Sequence, residues 1–333
     1  MHSLFRVVHM RQSLKIVALL GGLLVYMQAA ASAAQAPVDP QGIDRVIEGR
    51  MQETGLVGLG AAIILDRKLV WSRGYGFADK QDAVPFTTDT VMNIGSISKP
   101  FTGVALMQAV EDGKLSLDED INAYLPFKVV NPSFPDARIT LRHLATHTSG
   151  ITDRWEVYQR TYHWGGDAPE PLGEFLQGYL ATGGKDYAKD NFLPFKPGTH
   201  RDYSNIAAGL AGYIVERAVG EKLNTYTARR IFKPLGMDRS GWLLSEIAPG
   251  AHSTLYVGQE GFSIPIQLYG ITTYPDGGVR TSVSDLSRFF IALLDGGQYE
   301  GARILDASST AEMLRFQYTV GARPANVLWN GKS

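Results

Sequence analysis

The stretch Asn93-Ile94-Gly95-Ser96-Ile97-Ser98-Lys99 marks the point where this 333-residue chain changes from an extended to a helical pattern. After it, apolar residues such as Val104 and Met107 recur at helical spacing. Three residues are about one helical turn, so Lys99 returns to the face of Ser96 and its ammonium group can reach the serine hydroxyl. The sequence therefore predicts a serine and a lysine paired at the start of a helix.

A serine hydroxyl becomes a useful nucleophile only when a neighbouring base takes its proton. Lys99 supplies a partner for Ser96, and a helix N-terminus offers an amide and a positive dipole end to an oxyanion. A Ser-x-x-Lys tetrad nevertheless arises by chance about once in a chain of this length. Taken alone, it is equally compatible with a capping serine beside a solvated lysine.

A second group of polar residues, Tyr203-Ser204-Asn205, follows a Pro-Gly turn and precedes an apolar helix. This position predicts a loop. Residues two apart in an extended loop point the same way, so the Tyr203 phenol and the Asn205 amide are expected to face one cleft. A phenol beside a cation gives up its proton more readily and can act as a general base. Taken alone, Tyr203 is better explained as a loop tyrosine that packs its ring.

Connecting phrases accompany these two groups in the same order along the chain. They are 93–99, the stretch 139–150 (Ile-Thr-Leu-Arg-His-Leu-Ala-Thr-His-Thr-Ser-Gly), 203–205, Gly277-Gly278-Val279 and Ser284-Asp285-Leu286. From about Gln41 to Leu314 the chain resembles the serine β-lactamase and penicillin-binding-protein superfamily. The resemblance is strongest to class C β-lactamases and related esterases and D-amino-acid peptidases.

The resemblance implies a role for each matching residue. Ser96 would be the acylated nucleophile and Lys99 its proton partner. Tyr203 would be the base that activates first Ser96 and then the deacylating water, and Asn205 would bind the acyl amide or carbonyl of the substrate. A class A enzyme would carry Ser-Asp-Asn at the second motif, so Tyr203-Ser204-Asn205 argues against that mechanism.

The fold that the resemblance implies is α+β, with one α/β lobe whose antiparallel sheet is flanked by helices, and one all-α lobe. We expect residues 37–333 to form this domain. Residues 37–95 would begin the α/β lobe, 96–250 would form the mainly helical lobe, and 251–333 would return, incompletely, toward the α/β lobe.

Residue patterns predict several elements directly. The predicted elements are a helix from Pro40 to Gly55, a hairpin of Val57–Leu65 and Leu69–Tyr75 turning at Asp66-Arg67, and helices at Leu141–Thr146, Leu172–Leu180, Ile206–Gly220 and Leu286–Gly296. Between Trp155 and Phe195 lies an irregular, aromatic-rich stretch. It either lines a substrate pocket or packs within the helical lobe.

Composition excludes several kinds of chemistry. The chain contains no cysteine, which rules out a thiol nucleophile, a cysteine zinc site, a disulfide framework and a diacylated lipoprotein anchor. The formal charge of −1 gives no support for nucleic-acid binding. His143 and His147 are spaced like metal ligands on a helix, but no third ligand is evident. We expect hydrogen-bonded histidines near the cleft, and no metal or other cofactor.

The N-terminus has the pattern of a secretory signal peptide in residues 1–33. Arg6, Arg11 and Lys15 precede an apolar run from Ile16 to Met27, and Ala31-Ser32-Ala33 fits a cleavage site. The run is short for a bilayer span, although an uncleaved anchor is the alternative. We therefore predict a periplasmic or secreted protein with no stable membrane anchor after cleavage.

The superfamily's third motif, Lys-Thr-Gly or His-x-Gly, has no match after Tyr203. The triplet His163-Trp164-Gly165 fits the letters but comes too early, and only Val327–Trp329 near the end could begin a strand. In the family, that strand supplies the second oxyanion amide, and its neighbours complete the sheet. We therefore expect either a fragment of a longer reading frame or a protein that cannot complete turnover, with an unpaired edge on the β-hairpin.

The leading hypothesis is an exported serine hydrolase that opens an ester or amide through a Ser96 acyl-enzyme. The substrate would be a small ester or amide, a β-lactam or a D-amino-acid peptide. The alternative hypothesis is a penicillin-binding or sensor-type protein that has lost turnover. The sequence does not choose among these substrates, and it does not indicate the oligomeric state.

Overall fold

A computed structural model describes residues 38–259, 261–319 and 321–327. The described residues fall into two units, 38–44 and those from Arg45 onward. In the first unit, the described residues 38–44 contain the start of the first helix. The predicted signal peptide lies outside the described residues, as do Leu328 and Trp329 of the possible last strand.

The described residues form a mixed set of helices and short antiparallel sheets. The α-helices are α1 (Pro40–Thr54), α2 (Lys99–Glu111), α3 (Leu141–Ala145), α4 (Trp155–Tyr158), α5 (Leu172–Leu180), α6 (Asn205–Val219), α7 (Leu223–Thr227), α8 (Val283–Leu294) and α9 (Ala307–Leu314). The strands are β1 (Gly58–Leu65), β2 (Lys68–Asp79), β3 (Val84–Pro85), β4 (Met92–Asn93), β5 (Tyr162–Trp164), β6 (Leu255–Gln259), β7 (Phe262–Ile266), β8 (Tyr269–Ile271), β9 (Arg280–Thr281), β10 (Gln298–Tyr299) and β11 (Ala302–Arg303).

The largest sheet has the strand order β1-β2-β3 and is antiparallel. Its hairpin turns at Asp66 and Arg67, whose φ values are 49° and 63°. Positive φ values at both positions are typical of the two-residue hairpin turn whose twist matches that of the paired strands. Strand β2 runs on to Asp79, beyond the predicted end at Tyr75. Gly76 looks like a strand breaker in sequence, but here it pairs within the strand at a φ of 67°, where a Cβ would lie 2.2 Å from the Val57 carbonyl oxygen.

Helix α2 is the central element of the hydrophobic core. From Phe101 to Ala109 every residue except Gly103 is buried, as expected for a helix that is apolar on all sides. The Phe101 ring stacks on Phe289 of α8 with centroids 3.7 Å apart and meets the edge of Phe232. The N-terminal end of α2 is therefore held firmly in place, and this end carries the Ser-x-x-Lys motif.

A two-stranded sheet joins this motif to the Gly-Gly-Val phrase. Strands β4 and β9 pair Met92 with Thr281, so residues 277–279 run beside residues 94–98. The Ile94 amide donates to the Val279 carbonyl at 3.1 Å, and the Val279 amide donates to the Ser98 hydroxyl at 2.9 Å. The pairing brings together segments that are about 180 residues apart in sequence.

Some aromatic residues between Trp155 and Phe195 are buried, and others are exposed to solvent. Tyr158, Tyr179 and Phe192 are buried in the core, whereas the side chains of Trp155 and Trp164 are 63% and 56% exposed. Packing in the core accounts for these three buried residues, whereas the lining of a substrate pocket by this stretch stays a prediction.

At the sheet surface, β1 is an edge strand among the described residues, and Leu69 and Val70 of β2 are 43% and 45% exposed.

No helix within residues 38–259, 261–319 and 321–327 has the length and apolar character needed to cross a membrane.

Candidate active site

Ser96 lies in a 3₁₀ turn, Gly95–Ser98, that leads directly into α2. The predicted α-helix therefore begins three residues later than expected, at Lys99, because the first turn is tighter. One turn still separates the two residues, and Lys99 Nζ lies 3.3 Å from Ser96 Oγ. Ser96 is exposed, so a substrate can reach its hydroxyl.

Tyr203 contacts the same hydroxyl from the opposite segment. Its phenol donates to Ser96 Oγ at 2.7 Å. The Tyr203 ring lies with its centroid 4.4 Å from that of His147, and Lys99 Nζ lies 4.8 Å from the Tyr203 ring centroid. The Lys99 ammonium group therefore lies over the face of the Tyr203 ring, in the geometry of a cation–π contact.

Asn205 completes the cluster as the first residue of α6, not as the loop residue that the sequence predicted. Its side-chain Oδ1 accepts from Lys99 Nζ at 2.8 Å. Lys99 also donates to the Asp276 carbonyl oxygen at 2.8 Å. With Ser96, these contacts occupy all three N–H groups of an ammonium ion, so the structure brings the four predicted side chains together around a fully hydrogen-bonded lysine.

Asp153 positions the Tyr-Ser-Asn segment. One carboxylate oxygen accepts from the Ser204 hydroxyl at 2.7 Å and from the Ile206 amide at 3.0 Å, and the other accepts from the Asn205 amide at 2.8 Å. Ser204 in turn caps α6 by accepting from the Ala207 amide at 3.0 Å. A negative charge at a helix N-terminus is stabilising, so Asp153 fixes the start of α6 and with it Tyr203 and Asn205.

Replacing Asp153 by alanine is expected to lower the free energy of unfolding by about 2–4 kcal/mol, because three donors lose their acceptor. Asp153→Asn keeps an acceptor oxygen and is expected to lose less. Urea unfolding followed by circular dichroism measures both changes. Glu156→Ala is the control, since Glu156 is an exposed carboxylate three residues away. Equal losses in Asp153→Ala and Glu156→Ala would contradict the anchoring role.

The two histidines of residues 139–150 are hydrogen-bonded near the cleft. His143 Nδ1 and His147 Nδ1 accept from the amides of Thr140 and Ser204, each at 3.3 Å. Burial, reinforced by the nearby cations Arg201 and Lys99, lowers the pKa of His147 to about 4, and burial also lowers the pKa of His143. Both imidazoles are therefore neutral at pH 7. In the part of the chain that the structure describes, no cluster of three or more His, Asp or Glu side chains is placed to hold a metal.

Gly278 allows the Gly-Gly-Val phrase to approach the turn that precedes it. A Cβ on Gly278 would lie 2.9 Å from both the carbonyl oxygen and the Cβ of Tyr274. Only glycine avoids that overlap. The turn holding Tyr274 also contains Asp276, so this close approach helps to place the carbonyl that Lys99 contacts.

Sequence reasoning missed two acidic residues of this site. Asp153 follows the Thr-Ser-Gly end of residues 139–150, and this closeness to a stretch shared with the superfamily was the available sign that it belongs to the site. Asp276, in Tyr274-Pro275-Asp276-Gly277, has the composition of an ordinary turn, which conceals that its side chain is 2% exposed. The contacts that give both residues their place in the site join segments that are distant in sequence.

The family assignment follows from comparison with known proteins. The beta-lactamase family model matches residues 43–328. The chain belongs to the beta-lactamase family. The structure is similar to that of the octameric penicillin-binding protein homologue from Pyrococcus abyssi, with a TM-score of 0.69, 27% identity, and coverage of 85% of this chain and 61% of that one. The predicted family and the predicted α+β fold class are thus confirmed.

Curated proteins that resemble the chain include an aminopeptidase and an esterase. The D-aminopeptidase of Brucella anthropi is 31% identical over 225 residues, which are 68% of this chain and 40% of that protein. The esterase EstB of Burkholderia gladioli is 29% identical over 217 residues, which are 61% of this chain and 52% of that protein. The chain spans about half the length of the curated relatives it matches.

Proposed function

We propose that this protein is a serine hydrolase that opens an ester or amide bond through an acyl-enzyme on Ser96. The observation that carries the proposal is the position of Ser96 Oγ, 2.7 Å from the Tyr203 phenol and 3.3 Å from Lys99 Nζ. An exposed serine between a phenol and an ammonium has both a path for its proton and a nearby positive charge. The hydrolase names of its relatives support the same reaction class.

In the proposed acylation step, the Tyr203 phenolate takes the proton from Ser96 as Oγ forms a bond to the substrate carbonyl carbon. The bond to the leaving alcohol or amine then breaks, and the proton passes from Tyr203 to the leaving group. In deacylation, Tyr203 takes a proton from water, which attacks the acyl carbon and releases the acid. The proton then returns to Ser96 Oγ.

Lys99 and Asn205 have supporting roles in this proposal. The Lys99 ammonium stabilises the Tyr203 phenolate and fixes the Ser96 hydroxyl. Asn205 binds the acyl carbonyl or amide of the substrate through its side-chain amide, whose oxygen Lys99 orients. The substrate is a small-molecule ester or amide, and β-lactams and D-amino-acid peptides are candidates within this class. No cofactor has a part in these steps.

The proposed place of action is outside the cytoplasm, in the periplasm or the external medium. The support is the pattern of residues 1–33, with three basic residues, an apolar run and an Ala-x-Ala site. Expression with an epitope tag at the C-terminus, followed by cell fractionation, tests this. A tagged protein retained in the cytoplasm at full mass would contradict it.

A substrate panel tests the proposed reaction. The purified chain is assayed with a p-nitrophenyl ester, a chromogenic cephalosporin and a D-amino-acid anilide, and Ser96→Ala is assayed in parallel. We expect turnover of at least one substrate and its loss in the variant. Acylation of Ser96 without turnover of any of them would favour the penicillin-binding or sensor-type protein instead.

A further inference from the structure

An almost fully buried carboxyl group, that of Asp276, lies next to the proposed catalytic lysine. Asp276 is 2% exposed and ends the turn Tyr274–Asp276 that packs against α6 and α2. Its main-chain oxygen accepts from Lys99 Nζ at 2.8 Å, and its Oδ1 accepts from the Tyr158 phenol at 3.1 Å. Oδ2 has no hydrogen-bond partner among the described residues. A buried carboxyl in this state is costly unless a nearby charge offsets it.

The groups that face Asp276 come from four segments. Lys99 of α2 is the nearby cation, Tyr158 of α4 and Tyr162 of β5 are phenols, and Asp153 precedes α4. Burial raises the pKa of Asp276 to about 7, while the charge of Lys99 and the hydrogen bond from Tyr158 oppose the rise. Burial also raises the pKa of Tyr158 and of Tyr162, so both phenols stay protonated. Asp276 therefore changes charge near neutral pH, whereas the two phenols stay neutral.

Two groups beside Ser96 compete to be its base, namely the Tyr203 phenol and the Lys99 amine. An ammonium ion has no lone pair to accept a proton, so Lys99 can serve as base only after losing its own proton. An ionised carboxylate nearby favours the ammonium form of a lysine. The charge of Asp276 therefore bears directly on which of the two can act.

We propose that Asp276 is the buried counter-ion of Lys99, a positioning residue that holds Lys99 as an ammonium ion and so leaves Tyr203 as the base. This inference rests on the proposed function for its catalytic consequence, but not for the charge pairing itself. Above about pH 7 Asp276 is ionised and the pair is neutral as a whole. The Lys99 ammonium then donates hydrogen bonds to Ser96 and Asn205 and stabilises the Tyr203 phenolate.

The test measures the proton on Lys99 without requiring turnover. Only a neutral amine reacts with acetic anhydride, so the acetylation rate of Lys99, followed by peptide mass spectrometry at about pH 9, reports its neutral fraction. Asp276→Asn keeps the size of the side chain and removes its charge. We expect Lys99 to be acetylated about tenfold faster in Asp276→Asn. This change corresponds to a loss of the Lys99 proton at a pH about one unit lower than in the wild type. The exposed Lys114 in the same digest serves as the internal standard.

A matched variant separates charge from packing. Tyr158→Phe removes a hydrogen bond to the same carboxyl but leaves Asp276 ionised at about pH 9. We expect Lys99 in Tyr158→Phe to react at nearly the wild-type rate. Equal acceleration in both variants would show a packing effect and would overturn the proposal, as would an unchanged rate in Asp276→Asn.

Infrared difference spectroscopy follows the carboxyl itself. The wild-type protein is expected to lose a protonated-carboxyl band with a midpoint near pH 7. The band is expected to be absent from Asp276→Asn and to have a higher midpoint in Tyr158→Phe, which lacks a donor to the carboxylate. A wild-type protein without this titrating band would overturn the proposal. Both readouts remain valid in a protein that hydrolyses nothing, so a failure here differs from a failure of the proposed function.

Discussion

Ser96→Ala is expected to lower kcat/KM by about 10⁴–10⁶-fold, the range seen when the nucleophile of a catalytic unit is removed. The hydroxyl that the variant lacks is the atom on which Tyr203 and Lys99 both converge. Ser96 is exposed and lies in a short turn ahead of α2, so the change leaves the core intact. Steady-state kinetics on the best substrate of the panel, together with an unchanged urea-unfolding midpoint, measures the effect.

A matched serine gives the control for this prediction. Ser116 is also exposed but lies in the segment after α2, and Ser116→Ala is expected to keep wild-type activity. Retention of more than about a hundredth of the activity by Ser96→Ala would contradict the assignment of the nucleophile, because Ser96 would then contribute less than an ordinary general-base residue.

Tyr203→Phe is expected to lower kcat/KM by about 10²–10⁴-fold, the usual contribution of a general base. The variant keeps the ring, which contacts His147 and lies beside Lys99, and removes only the phenolic oxygen at 2.7 Å from Ser96 Oγ. The fold should therefore be unaffected. The pH dependence of kcat/KM is measured in parallel, and its limb for the catalytic base is expected to disappear or move.

Tyr256→Phe serves as the control for removal of a phenol oxygen. Tyr256 lies on β6, where its hydroxyl accepts from the Lys80 amide at 2.8 Å. We expect little effect on kcat/KM. Unchanged activity of Tyr203→Phe across the whole pH range would show that another group is the base.

Local patterns predicted several elements of the fold, and local spacing together with the resemblance to a known superfamily singled out four side chains of the site. The helix at Leu172–Leu180 and the hairpin turn at Asp66-Arg67 depend on spacing and turn chemistry within a few residues, and the structure has both as predicted. Ser96 and Lys99 were recognisable because one helical turn relates them. Tyr203 and Asn205 were recognisable because two residues in an extended segment point the same way, and Asn205 retains that direction as the first residue of α6.

The remaining features depend on contacts that the local sequence does not encode. The bond from Asp153 to the Asn205 amide joins residues 52 apart, and the bond from Lys99 to the Asp276 carbonyl joins residues 177 apart. The strand predicted to end at Tyr75 continues through Gly76, whose close approach to Val57 arises only when the two strands are paired. Such residues become visible only when the partner segment is in place.

The central claim is that Ser96 is the nucleophile, and intact-protein mass spectrometry with peptide mapping tests it most directly. The folded protein is incubated with a labelled penicillin or an activated phosphonate, and each reagent leaves a covalent adduct of known mass. Our account predicts one adduct per chain, on the peptide containing Ser96, absent from Ser96→Ala and formed more slowly by Tyr203→Phe. A folded protein with no adduct, or with an adduct on any other residue, would contradict it.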